Sequence, residues 1–139
     1  MDFYGFYTGK IFDAYKYLGA HVEEKGVTFR TFAPSASRIT LIGEFNDWQE
    51  WEMNKVSDGN FWECYVPQAK AGQMYKYKIY DRNGNPVDHC DPYGFGMELR
   101  PNSASIIRDM SKYKFKDSQW LQNRSDCRKR ALNIYEIHF

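Results

Sequence analysis

Apolar and polar positions alternate with a period of two in the middle of this chain. From Met74 to Tyr80, Tyr75, Tyr77 and Ile79 fall on one face and Lys76, Lys78 and Tyr80 on the other. That pattern predicts a strand with one buried face, because successive side chains of a strand point to opposite sides. Three further runs rich in β-branched and aromatic residues predict strands at Val27 to Phe32, Arg38 to Gly43 and Phe61 to Val66. Turn chemistry separates them. Ala33-Pro34-Ser35-Ala36-Ser37 stops the first run, Ser57-Asp58-Gly59-Asn60 leads into the third, Pro67 ends it, and Lys70-Ala71-Gly72 precedes the alternating strand. Asn83-Gly84-Asn85-Pro86 after that strand is a hairpin signal, since Asn and Gly accept the positive φ that such turns require. Short strands at this spacing, punctuated by Gly and Pro, predict an all-β sandwich.

The ends of the chain read differently. Residues 1–20 are rich in Tyr, Phe and Gly without a long period, and predict a lead-in segment that wraps the sandwich, with a helical turn within Asp13 to Leu18. The sandwich is expected over residues 21–110. Residues 111–139 predict a linker, a short helix started by Asp117-Ser118-Gln119-Trp120-Leu121-Gln122, a charged stretch from Asp126 to Arg130 and a strand from Leu132 to Phe139. Ile134, Tyr135, Ile137 and Phe139 give that strand the pattern of one buried on both faces, as in a parallel barrel. Without its neighbours such a strand is a pairing template, so self-association through it is expected.

Composition narrows the function classes. A chain of 139 residues holds one domain of ordinary size, whereas a (β/α)8 barrel needs about 250 residues. The net charge is +1, with Lys and Arg scattered, so no nucleic-acid partner is implied. No apolar run reaches the roughly 18 residues of a membrane helix and no signal peptide opens the chain, so no membrane partner is expected. Cys64, Cys90 and Cys127 lack Cys-x-x-Cys spacing, which speaks against a disulfide framework and a zinc site. Reduced thiols in the cytoplasm are the simplest account, and no cofactor is implied. Eleven Tyr, ten Phe and four Trp exceed what one small core can bury, so some rings must stand at the surface.

One such ring is Trp48, in Gly43-Glu44-Phe45-Asn46-Asp47-Trp48. The apolar run Ile39 to Ile42 delivers it to a polar Asn-Asp turn. Spacing leaves two readings open: an indole platform suited to the flat C–H face of a sugar, or a lid folded back on the core. The Asp88-His89-Cys90-Asp91 run offers metal-ligand types, but neighbours in an extended chain point to opposite faces. Asp91-Pro92-Tyr93-Gly94 reads instead as a turn in which the Asp carboxylate accepts from backbone amides. His21 and His138 have no sequence-near partners and are expected to pack or to hydrogen-bond.

Four motifs in order carry a family resemblance: Gly26-Val27-Thr28-Phe29-Arg30-Thr31-Phe32-Ala33-Pro34, Gly43 to Trp48, Tyr75-Lys76-Tyr77-Lys78 and Asp91-Pro92-Tyr93-Gly94-Phe95. Together they resemble carbohydrate-binding modules of family 48, found ahead of the barrel in α-glucan-active enzymes. The resemblance implies an immunoglobulin-like β-sandwich. Three flanking stretches, Tyr17-Leu18-Gly19-Ala20-His21, Glu98-Leu99-Arg100-Pro101-Asn102-Ser103-Ala104-Ser105 and Asn133 to Phe139, are similar to bacterial 1,4-α-glucan (glycogen) branching enzymes. In that family the last stretch is the first strand of the catalytic barrel, so the chain reads as the N-terminal part of such an enzyme.

The chemistry of that family needs a carboxylate nucleophile and a second carboxylic acid about 5 Å away. Both lie on later barrel strands, so no catalytic residue and no metal ligand is expected here. The implied role is to bind α-glucan (glycogen or maltooligosaccharide) beside the chain's own catalytic barrel. By resemblance Trp48 supplies the platform and Lys76 a donor to sugar hydroxyls, with Asn46 in the same turn and Trp51 as a candidate second ring. Glycan-binding members carry a second Trp in the hairpin after the Lys76 strand. Here that hairpin is Asp81-Arg82-Asn83-Gly84-Asn85, which implies weak binding. Trp62, another possible ring, begins a strand and is expected in the core. Two other readings stay open: a mainly structural partner of the barrel, or the same module from a debranching enzyme or trehalohydrolase.

Overall fold

The alternating segments pair into two antiparallel sheets. In the computed structural model, β1 (Gly19–Val22), β2 (Val27–Phe32), β6 (Phe61–Val66) and β5 (Asn54–Val56) form one sheet in the order β1-β2-β6-β5. The other runs β4 (Trp51–Glu52), β3 (Arg38–Gly43), β7 (Met74–Tyr80), β8 (Pro86–His89), with β9 (Ser105–Ile106) added to the start of β7. Residues 1–129, 131 and 133–138 are described. The chain divides into two compact units, Met1–Asp109 and Met110–Phe139.

The four strands expected from the sequence stand at their expected bounds. Four short ones were not expected, β1, β4, β5 and β9, while β8 was implied by the hairpin signal at Asn83 to Pro86 but not bounded. Gly19 and Ala20, placed in the lead-in, open β1. The register explains the core. Val27, Phe29 and Thr31 pair with Val66, Cys64 and Trp62, and all six are buried. Facing them, Ile39 and Leu41 pair with Ile79 and Tyr77. Phe29 meets Tyr75 across the sandwich, ring centroids 4.9 Å apart, edge to face. Burial pushes the Cys64 thiol up to about 12, so it behaves as a small apolar group. Cys64 and Cys90 are free thiols. The side chain of Cys127 lies outside the described residues.

The outer face of the first sheet is also partly apolar, and the lead-in covers it. Helix α1 (Phe3–Tyr7) is a correction to the unperiodic segment expected there. Asp2 caps it by accepting from the Gly5 amide at 2.9 Å. Phe3, Phe6 and Tyr7 share one helix face, as i, i+3 and i+4 residues do. All three pack edge-on against Phe61, which is fully buried although it points away from the main core. Tyr4, Phe12 and Tyr15 remain exposed, as the aromatic excess required.

In the second unit α2 (Ser118–Asn123) stands where expected, but the Asp117 side chain makes no capping bond. Asp126–Lys129 forms a 3-10 turn rather than a plain linker, and Arg130 lies outside the described residues. Residues 133–138 form no strand, which corrects the strand expected over Leu132 to Phe139; Leu132 and Phe139 themselves lie outside the described residues. A strand meant to be buried on both faces needs partners on both edges. Among the described residues, 133–138 have none, and Ile134, Tyr135 and Ile137 are exposed.

One polar group sits deep in the first unit. Asp91 is 3% exposed. Its Oδ2 accepts from the hydroxyls of Tyr75 (2.7 Å) and Tyr77 (3.1 Å), and its Oδ1 accepts from the Tyr93 amide at 2.8 Å. The turn expected at Asp91-Pro92-Tyr93-Gly94 is therefore present, and the carboxylate also holds two core tyrosines. Burial raises the Asp91 carboxyl above the usual Asp range, while the tyrosine and amide donors pull it down. Tyr75→Phe removes one donor to a buried charge and is expected to cost about 2 kcal/mol at pH 7. The sign follows from linkage. The variant raises the folded-state value of Asp91 further, so its penalty is absent below the ordinary Asp value and grows as pH rises through the folded value. Urea denaturation of both proteins at pH 3.5 and pH 7 checks this; a penalty that does not grow with pH contradicts it.

Candidate functional site

β3 ends at Gly43, opposite Tyr75 on β7. A side chain does not fit there: a Cβ would lie 2.6 Å from the Phe45 ring and 2.7 Å from the Met74 carbonyl oxygen. The chain then folds into a tight loop. Phe45 turns inward, 8% exposed, its ring 5.6 Å from that of Phe29. Asn46 latches the loop: Oδ1 accepts from the Gly43 amide at 3.1 Å, and Nδ2 donates to the Gln49 carbonyl at 2.6 Å. The Trp48 amide donates back to the Gly43 carbonyl at 2.9 Å. Glu44 reaches to β7, where its Oε2 accepts from the Met74 amide at 2.8 Å.

Asp47 and Trp48 both adopt left-handed backbone, with φ of 53° and 57°. Non-glycine residues rarely sit there, and successive ones more rarely. Trp48 is 40% exposed, which excludes the reading of a buried lid.

Lys76 pairs with Ile42, one residue before the Gly43 that pins the loop, and is half-buried. It shares the outer face of β7 with Lys78 and Tyr80. Those neighbours are committed elsewhere. Glu50 accepts from the Tyr80 hydroxyl at 2.7 Å, and Lys78 lies 3.5 Å from it. The Tyr80 bond and the nearby cations hold the Glu50 carboxyl below its usual range. Arg38 pairs with Glu50 and Glu52 and lies 4.7 Å above the Tyr80 ring. Among the described residues Lys76 has no carboxylate within 4 Å.

The structure therefore brings Trp48, Asn46 and Lys76 to one end of β3 and β7. It does not bring Trp51 with them. Trp51 pairs with Leu41 on the core-facing side of the sheet and packs against the core. Trp62 is in the core as expected, its Nε1 donating to the Ala33 carbonyl at 3.1 Å. In the β7–β8 hairpin Asp81 accepts from the amides of Asn83 (2.8 Å) and Asn85 (2.9 Å). A groove of about 270 Å³ between that hairpin and Ala33 to Ala36 contains none of the four expected site residues. Glu44 was not foreseen; the only sequence signal was a carboxylate directly after a strand. Among the described residues no three His, Cys, Asp or Glu side chains converge as metal ligands, and no helix is long and apolar enough to cross a membrane. His21 bonds the Leu18 carbonyl at 2.9 Å, and His138 lies 3.0 Å from Glu136.

Two antiparallel sheets packed face to face, with few and short helices, define an immunoglobulin-like β-sandwich. The family model for carbohydrate-binding module 48 (isoamylase N-terminal domain) matches residues 17–94, and the chain belongs to that family. Across 99% of its length it is 38% identical to a 1,4-α-glucan branching enzyme of Fusobacterium nucleatum, and across 97% it is 39% identical to one of Dechloromonas aromatica. The chain spans 23% and 22% of those two proteins. Among solved structures it is similar to a maltotriose complex of the Klebsiella pneumoniae pullulanase PulA, with TM-score 0.57 and 25% identity over 70% of this chain and 11% of the other. A putative α-amylase of Salmonella typhimurium shares the fold, with TM-score 0.59 and 21% identity over 75% of this chain and 17% of that one.

The crowding at Gly43 gives a direct test of how the loop is built. Gly43→Ala is expected to destabilise the protein by about 1–3 kcal/mol, because the Phe45 ring or the Met74 backbone must move. A lower urea midpoint than wild type checks it; an unchanged midpoint means the loop relaxes freely.

Proposed function

We propose that this module binds α-glucan chains through Trp48 and Lys76, and that it does so as the N-terminal part of a 1,4-α-glucan branching enzyme acting in cytoplasmic glycogen synthesis. The observation that carries the reading is a strained loop holding an indole at the surface at the same end of β3 and β7 as Lys76, which has no carboxylate within 4 Å among the described residues. An indole face suits the C–H face of a glucose ring, and an ammonium donates to the hydroxyls at its rim. Asn46 spends one N–H and one lone pair inside its loop, which leaves one of each for a hydroxyl. The identity to branching enzymes across nearly the whole chain supports the choice of parent over a debranching enzyme or trehalohydrolase. The glucan and the catalytic barrel are then the module's two partners.

One observation favours a second reading, in which the module is mainly a structural partner of the barrel. Trp51 faces the core and residues 81–85 of the β7–β8 hairpin include no aromatic, so neither supplies Trp48 with a second ring. Calorimetric titration with maltoheptaose separates the two, since a purely structural module gives no saturable heat. If it binds, Trp48→Ala is expected to weaken affinity about thirtyfold, the equivalent of about 2 kcal/mol for a stacked anchor. Lys76→Met is expected to weaken it less. The chain alone is expected to leave the iodine absorbance of amylose unchanged, since the carboxylate pair of this chemistry is expected on later barrel strands.

A further inference from the structure

This inference rests on the reading of Trp48 and Lys76 as the glucan-contacting pair and concerns a residue outside it. We infer that Glu44 is a positioning residue: its carboxylate fastens the loop that carries Trp48 to the strand that carries Lys76. The β3–β7 ladder ends at Gly43 opposite Tyr75. The next amide along β7, that of Met74, donates to the Glu44 carboxylate at 2.8 Å in place of a backbone carbonyl. The side chain extends the ladder by one rung. A carboxylate receiving a backbone N–H makes a shorter and stronger bond than a neutral acceptor does.

The other polar ties of this loop run within it or back to Gly43. They are the Gly43 amide to Asn46, the Trp48 amide to Gly43, Asn46 to the Gln49 carbonyl, the Gln49 amide to the Asn46 carbonyl at 3.0 Å, and the Gln49 side-chain amide to the Asp47 carbonyl at 3.4 Å. These bonds fix the shape of the loop. They tie it to β7 only indirectly, through Gly43 at the end of the ladder. Among the described hydrogen bonds of residues 44–49, the one that reaches β7 is that of Glu44, at the Lys76 end of the strand; Glu50, just after the loop, reaches the far end through Tyr80 and Lys78. Phe45 anchors the loop to the core from below, but an apolar contact is non-directional and does not by itself set the loop's register against β7. A glucose ring that must meet the indole face and the Lys76 ammonium together reads the separation of the two groups. Fixing that separation before binding removes an ordering cost from the complex.

The test uses the full 139-residue chain and maltoheptaose. Glu44→Ala is expected to weaken binding roughly fivefold, while Glu44→Gln, which keeps an acceptor oxygen, stays within about twofold of wild type. In a Trp48→Ala background the Glu44→Ala change is expected to have no further effect on affinity, because the lost separation no longer matters. Glu44 is exposed, so the urea midpoint is expected to stay nearly unchanged, which tells positioning from general destabilisation. Exchange of the Met74 amide hydrogen is expected to speed up in Glu44→Ala and not in Glu44→Gln. The inference is overturned if Glu44→Ala binds like wild type while Trp48→Ala does not, or if Glu44→Ala costs the same affinity with and without Trp48. If wild type binds no maltoheptaose, the glucan reading falls. The clamp is then still decided by Met74 exchange, and an unchanged rate in Glu44→Ala overturns it.

Discussion

Asp91 receives the hydroxyls of Tyr75 and Tyr77 and the amide of Tyr93, while its own amide donates to Ser105 at 2.8 Å. The two tyrosines are alternate residues of β7, and Ser105 belongs to β9, which pairs with the start of that strand. One residue therefore fixes both ends of this arrangement: its carboxylate fixes which face of β7 looks inward, and its amide fixes where the returning chain joins it. Burial pushes both hydroxyls well above their usual range, so they stay protonated and remain donors. The arrangement tolerates no slip. A one-residue shift of β7 would turn Lys76 and Lys78 into the core and leave Asp91 buried without its two tyrosine donors.

The loop after β3 inherits that order. Gly43 lies opposite Tyr75 because β3 and β7 share one register, and the loop starts from there. Its two left-handed residues cost energy that a free chain would not spend, on the order of 1–2 kcal/mol each. The bonds to Gly43 and the buried Phe45 outweigh that cost. Strain held by a surrounding structure is a common property of binding loops. Here its visible consequence is an indole that stays in solvent instead of collapsing onto the sheet.

Much of this was legible in the residues. The period of two placed β7 and its two faces, and β2, β3 and β6 were plain from β-branched and aromatic runs. The short strands were not, for a physical reason. β4 and β5 are two and three residues long and meet at Met53, where the chain passes from one sheet to the other, so neither shows a period of its own. β8 is exposed along its whole length and carries no apolar signature. Helix α1 escaped notice because five residues are too few to reveal a helical period. At the site, Trp48 was visible as a bulky ring in a polar turn. The placing of Trp51 on the core side depends on its pairing with Leu41, a non-local fact that no local pattern carries. Glu44 was hidden for the same reason, since its partner Met74 is thirty residues away in sequence.

The β7–β8 hairpin sets how strong the proposed site can be. Its Asp81 carboxylate accepts from the amides of Asn83 and Asn85, and these bonds hold the group below its usual range. A turn closed on itself in this way offers a glucan no ring. What remains is one indole and one ammonium, contacting about one glucose unit of roughly eleven heavy atoms. At about 0.3 kcal/mol per atom that gives about 3 kcal/mol, a dissociation constant of several millimolar. Such a site is negligible in dilute solution. In the parent enzyme proposed above, a module joined to a catalytic barrel would meet a bound chain at an effective concentration of up to about millimolar. Occupancy is then partial, and the glucan is guided without being held. Under that proposal a second ring would tighten the site and slow release of the chain, so a polar hairpin is compatible with a module that positions a glucan rather than stores it.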